Sequence, residues 1–197
     1  MAVDSIGTIR AIFDTSVGVH QRFMTYGLDQ IVTAADSIYR ALSGGGKVLA
    51  FGNGGSASDA EHLVAELVGR FEGDRRALAG IALTADSSVM TALGNDYGYD
   101  RVFTRQIEAL GQADDVAFGI STSGRSPNVE AGLAAAKSLG MVTIAMTGRD
   151  GGKMGANADI HLNVAEASTP RVQEVHRTIM HAMCSLIDRH VRAESGA

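Results

Sequence analysis

Residues 47–71 read KVLAFGNGGSASDAEHLVAELVGRF, and the rest of the chain is organised around this stretch. A short apolar run, Val48 to Phe51, stops at a loop of small residues, Gly52 to Ser58. A helical pattern follows, in which Leu63, Leu67 and Phe71 recur at intervals of four. Strand, small-residue loop and helix in that order form the anion-binding unit of α/β proteins. The helix start presents unpaired N–H groups and about half a positive charge, and glycines let an anion approach the backbone. Ser56 and Ser58 add hydroxyls to this loop. Further along the same helix His62 and Glu66 stand one turn apart on one face, a spacing that suits two ligands of one metal or an ion pair.

Outward from this unit the same grammar repeats. Further short strands are expected at Ile81–Thr84, Asp115–Ile120, Val142–Met146 and Ile160–Val164, each separated by helical or turn-rich sequence. A brief helix capped by Asp86 is expected through Leu93, then a turn-rich loop at 94–98 and a helix over about 100–110. Residues 129–139 read as a helix closed by Gly140, residues 151–157 as a glycine-bounded turn, and a long helix runs from about Pro170 to Arg192. Short strands alternating with helices call for right-handed crossovers and a parallel sheet covered on both faces. The expected fold is therefore α/β, a three-layer sandwich with a five-stranded parallel sheet. Residues 1–197 form one domain in this reading. Its first 43 residues are an N-terminal helical segment, broken near Gly27, for packing on the sheet and for oligomerisation.

Composition narrows the function. The net charge of −5 and the absence of a Lys/Arg run argue against a nucleic-acid surface. No apolar run is long enough to span a bilayer, and the start lacks the basic-then-apolar order of a signal peptide, so the cytoplasm is the expected compartment. The lone Cys184 lies in an apolar helical pattern and reads as a buried bystander.

A second anion-type loop follows the third strand. Ser121, Thr122, Ser123 and Ser126 surround Gly124, and four hydroxyls in six residues exceed what one helix cap needs. The first loop also matches the dinucleotide fingerprint G-x-G-x-x-A at 52–57, with Asp86 near the position of its acidic partner. That alternative leaves the hydroxyl loop and the His62/Glu66 pair without a role. The last helix carries Gln173, His176 and His181 among apolar neighbours, whereas His20 and His190 read as surface residues and His161 as structural.

Five motifs in order, GNGGSASDAEHLVAEL (52–67), GNDYGYD (94–100), FGISTSGRSPNV (118–129), TGRDGGKM (147–154) and RVQEVHRTIMH (171–181), closely resemble the phosphoheptose isomerases of the sugar-isomerase (SIS) superfamily. The resemblance spans residues 45–190; the N-terminal segment is similar only in being helical. It implies a SIS-type, flavodoxin-like fold and a homotetramer with sites at subunit interfaces. The implied reaction is conversion of D-sedoheptulose 7-phosphate to D-glycero-D-manno-heptose 7-phosphate through an enediol, the entry to nucleotide-activated heptoses. Carried onto this chain, the family pattern makes Glu66 and His181 the acid/base pair, with His62, Glu66, Gln173 and His181 binding one divalent metal, usually zinc. Ser121, Thr122, Ser123 and Ser126 would hold the phosphate, while Asn53, Gly54, Gly55, Ser56, Glu66, Asn95, Asp96 and Gln173 would meet the rest of the substrate.

Gln173 and His181 are about 12 Å apart along a straight helix, so they must converge from two levels; His176 is then left to packing or support. Where the family often has an acidic residue, this chain has Thr169-Pro170, which puts one sugar contact in question. The contrasting expectation is a catalytically silent SIS scaffold resembling the DnaA initiator-associating proteins. Retention of both Glu66 and His181 argues for the enzyme.

Overall fold

The computed structural model describes residues 4–195. Five strands, β1 (Val48–Gly52), β2 (Gly80–Ala82), β3 (Val116–Ser121), β4 (Val142–Gly148) and β5 (Ile160–Val164), form one parallel sheet in the order β2-β1-β3-β4-β5. Among the described residues the helices are α1 (Ser5–Met24), α2 (Leu28–Ser43), α3 (Gly55–Val68), α4 (Ser87–Tyr97), α5 (Val102–Leu110), α6 (Pro127–Ser138), α7 (Gly152–Asn157) and α8 (Thr169–Ser195). None of them is long and apolar enough to cross a membrane.

The strands β1, β3 and β4 are buried on both sides almost throughout, so they read as continuous apolar runs. Their side chains nevertheless alternate between two cores. Val48, Ala50, Val116, Phe118, Ile144 and Met146 face the layer built from α1, α2, α3 and α8. Leu49, Phe51, Ala117 and Ala145 face α5, α6 and α7. This is the expected three-layer arrangement.

Local differences from the sequence reading have simple causes. The helix capped by Asp86 does not stop at Leu93: α4 continues through Gly94, Asn95 and Asp96 to Tyr97. One glycine inside a helix costs only about 1 kcal/mol, and the Asp86 carboxylate secures the start by accepting from the N–H groups of Ser88 and Val89. Gly98, at φ 81°, ends it in a conformation that favours glycine. The second strand is shorter than expected and begins at Gly80, although Leu83 still donates its N–H to Ala50 O. The glycine-bounded turn at 151–157 contains the six-residue α7. The expected break at Gly27 is there, and a Cβ on it would lie 2.3 Å from the Phe23 ring.

Candidate active site

The strand order reverses between β1 and β3, which places a crevice at their C-terminal ends; ligands of open α/β sheets bind at such switch points. Both loops singled out in the sequence leave the sheet there. After β1 the chain turns through Asn53 and Gly54 (φ 57°) into α3. At Gly55 a Cβ would lie 2.1 Å from the Gln173 side-chain nitrogen, so glycine lets α8 bring that amide against the first turn of α3. Ser56 is buried in the same turn, with its N–H bonded to Asn53 O.

After β3 the hydroxyls fold into one cluster. Ser121 Oγ lies 2.8 Å from Ser126 Oγ and 3.3 Å from Ser123 Oγ. Ser126 is the N-cap residue of α6, yet its side chain makes no capping bond, leaving the helix N-terminus available to an anion. Gly124, at φ 65°, packs so closely on the β4–α7 loop that a Cβ would lie 2.2 Å from Gly151 O. Thr122 is half-buried beside these serines.

The two loops are bolted together by a residue the sequence reading passed over. Asn53 Nδ2 donates to Asn128 Oδ1 at 2.8 Å, and Asn128 Nδ2 donates back to Asn53 Oδ1 at 2.9 Å. Tyr99 also donates its hydroxyl to Asn53 Oδ1 at 3.1 Å. Asn128 is buried, and an Asn just after a helix-starting proline in a hydroxyl-rich loop was the available signal.

Helices α3 and α8 bring His62, Glu66 and His181 together, with one donor atom of each within 4.8 Å of the others. His62 Nε2 lies 2.8 Å from Glu66 Oε1 and 3.5 Å from His181 Nε2. Two imidazole nitrogens and a carboxylate oxygen at this separation fit a divalent cation, whose tetrahedral nitrogen ligands stand about 3.3 Å apart around zinc. Phe71 packs its ring on His181 with centroids 5.4 Å apart. Gln173 and His181 line one cavity of about 690 Å³.

His176 does not join them. It is fully buried against the sheet, where its Nε2–H donates to Thr147 O at 2.9 Å, and burial pushes its pKa down to about 4. It packs, as one of the two roles left to it. His161 is structural too: Thr147 gives its hydroxyl proton to Asn163, so His161 donates to Thr147 Oγ1 at 2.7 Å. Cys184 is buried and its thiol is pushed up to about 12 by burial, consistent with a bystander.

His20, read as a surface residue, is only partly exposed. It is half-buried on the cavity wall, with its ring bonded to Thr178 Oγ1 and to Ser16 O, both at 2.9 Å. The contact joins residues 158 positions apart, so no local pattern announced it. The same wall carries Asp59, buried and bonded to Arg177 at 2.6 Å, and Glu174. Burial alone would raise the Glu174 carboxyl, but hydrogen bonds from Ser16 and Arg171 outweigh it and hold it below the ordinary range. Pro170 also borders the cavity, in place of the acidic residue that the resemblance led one to expect nearby. His190 is exposed and pairs with Asp36. Asn95 and Asp96 are exposed on α4 and are not among the residues lining this cavity.

The SIS-domain family model matches residues 13–148. The phosphoheptose isomerase of Aquifex aeolicus is 51% identical over 183 residues, covering 93% of this chain and 96% of that protein. The one from Bordetella avium is 46% identical over 189 residues, covering 94% and 96%. Among solved structures, the phosphoheptose isomerase of Neisseria gonorrhoeae superposes with a TM-score of 0.89 at 46% identity, over 93% of this chain and 98% of that one. That of Francisella tularensis gives 0.91 at 36%, over 95% and 100%. A family match over most of the chain, identities of 51% and 46% over more than nine-tenths of it and superposition over almost its full length lead to one conclusion: the chain belongs to the phosphoheptose isomerases, within the SIS-domain family.

Proposed function

We propose that this protein is an aldose–ketose isomerase that converts D-sedoheptulose 7-phosphate to D-glycero-D-manno-heptose 7-phosphate, a step of heptose biosynthesis. The observation that carries the reading is the convergence of His62, Glu66 and His181, from two helices, in a chain whose serine cluster stands at the switch point of the sheet. Ser121, Thr122, Ser123 and Ser126, with the N-terminus of α6, bind the phosphate. Asn53, oriented by Asn128, meets a sugar hydroxyl. Glu66 takes a proton from C1 of the ketose and returns a proton to C2 of the enediol. His181 donates a proton to O2 as the carbonyl becomes a hydroxyl and accepts the proton that leaves O1. His62 holds the Glu66 carboxylate through the 2.8 Å contact.

The donor set His62, Glu66 and His181 suits one divalent cation, and zinc by its preference for imidazole and carboxylate; Gln173, which lines the same cavity as His181, is the fourth ligand in this reading. When bound, the cation supplies Lewis-acid polarisation of the sugar oxygens. A homotetramer with sites between subunits belongs to the same reading. Ile6, Ile9 and Phe13 stand exposed along α1, and Asn95 and Asp96 are exposed on α4, free to meet sugar held by a neighbouring copy.

The test is incubation of the purified protein with sedoheptulose 7-phosphate, with and without zinc, following the aldose by NMR. Product that disappears in Glu66→Gln, with phosphate-ester binding retained, is expected. No product under any metal condition from folded protein would favour the silent scaffold instead.

A further inference from the structure

Arg75 is a buried cation that the mechanism above does not use. Its side chain is 2% exposed, and that of its partner Asp188 is 5% exposed. A buried charge is tolerated when it is paired and hydrogen-bonded, and each nitrogen of this guanidinium has an acceptor. Nε donates to Asp188 Oδ1 at 2.8 Å. Nη1 donates to Leu67 O at 2.8 Å and to Arg76 O at 2.9 Å, and Nη2 donates to Glu66 O at 2.6 Å.

These acceptors share a meaning. Glu66 and Leu67 lie in the last turn of α3, whose terminal carbonyls lack intrahelical partners and form the negative end of the helix dipole. One planar fork therefore caps the helix that carries His62 and Glu66, and grips the helix that carries His181. Asp188 is seven residues beyond His181, about two turns, and so lies on the same face of α8. The segment that bears Arg75 also bears Phe71, the ring packed on His181, and Glu72, whose N–H reaches Asp188 Oδ2 at 3.4 Å.

We propose that Arg75 and Asp188 are a positioning pair that sets the separation of Glu66 from His181 by locking the end of α3 to α8. The proposal rests on the isomerase reading for what that separation does. Neither residue touches substrate; both act through the backbone of Glu66 and through the helix that bears His181.

The experiment compares Arg75→Lys, Asp188→Asn and the neighbouring control Arg76→Gln, all checked for folding by circular dichroism. Lysine keeps the charge but lacks the planar fork that reaches several acceptors at once. The readouts are kcat and KM on sedoheptulose 7-phosphate, and zinc affinity by competition with a chromophoric chelator. Both variants should lose about 10- to 100-fold in kcat and about 10-fold in zinc affinity. KM should stay within about 3-fold, because phosphate binding lies on other elements. Arg76→Gln should match wild type. Variants that fold with wild-type kcat and zinc affinity, whatever their melting temperature, overturn the proposal and leave a structural ion pair. Asp188→Asn, which keeps the shape and an acceptor for Arg75, decides the matter if Arg75→Lys does not accumulate. Wild-type protein that isomerises no sugar phosphate would refute the isomerase reading separately, and the zinc comparison would then judge the pair.

Discussion

His62 and His181, 119 positions apart in sequence, present their Nε2 atoms to each other at 3.5 Å. Each imidazole comes from a different helix, and Glu66 closes the triangle. Two imidazole nitrogens and a carboxylate oxygen at this separation form a donor set that a divalent cation would fit.

Divalent metal should therefore stabilise the fold as well as support turnover. Chelator-treated protein given zinc at about 100 times its dissociation constant should gain about 2.7 kcal/mol in unfolding free energy. His181→Ala should abolish most of that gain. A differential scanning measurement with and without zinc checks this, and an equal zinc response in both proteins would contradict the assignment.

The serine cluster should govern binding more than turnover. Removing one hydroxyl that hydrogen-bonds a charged phosphate loses about 1.5–3 kcal/mol, or roughly 10- to 100-fold in affinity. Ser121→Ala and Ser126→Ala should each raise KM on that scale, with the inhibition constant of inorganic phosphate rising in parallel and kcat changing little. A defect in kcat alone would contradict the cradle.

Asn128 should matter although it is not assigned to substrate. Its reciprocal amide pair with Asn53 is buried on its own side, so Asn128→Ala leaves Asn53 Nδ2 without its acceptor and Oδ1 with only the Tyr99 hydroxyl, and should cost about 1–3 kcal/mol of stability. KM should rise several-fold as Asn53 loses its orientation. Urea unfolding and steady-state kinetics on the same preparation test both halves.

His176 should make the fold acid-sensitive. Its Nε2–H is bonded to Thr147 O, and its Nδ1 is buried with no partner, so burial holds the ring neutral down to about pH 4. The unfolded chain takes up that proton near the ordinary value of 6.5. Stability from this residue is complete above pH 6.5 and is lost as the pH falls toward 4, about 2 kcal/mol of it by pH 5. His176→Gln keeps a donor for Thr147 but does not titrate. Its urea midpoint should fall less between pH 7 and pH 5 than that of wild type.

Much of the fold was legible because its signals are local. Val48–Phe51 followed by glycines, and the apolar runs at 116–120 and 142–146, each announce a buried parallel strand within a few residues. The end of α4 was not legible: Gly94 resembles a breaker, and only the capped start and the positive φ at Gly98 show that the helix passes through it. The same holds for the site. His62/Glu66 and the four hydroxyls are short-range patterns, whereas His20, Asn128, Arg75 and Phe71 gain their roles from partners on distant elements.

The sequence alone thus determined the strand–loop–helix units, the chemistry of each loop and the family to which the motifs point. Backbone preference, glycine conformation and the spacing of side chains on one helix act over a few residues, and composition records them. Only the tertiary structure decided that α8 lays Gln173 against Gly55, that His181 meets His62 rather than His176 doing so, and that one guanidinium ties α3 to α8. Those contacts depend on how two faces of a sheet are covered and at what angle helices cross it, which is settled by packing the whole core together.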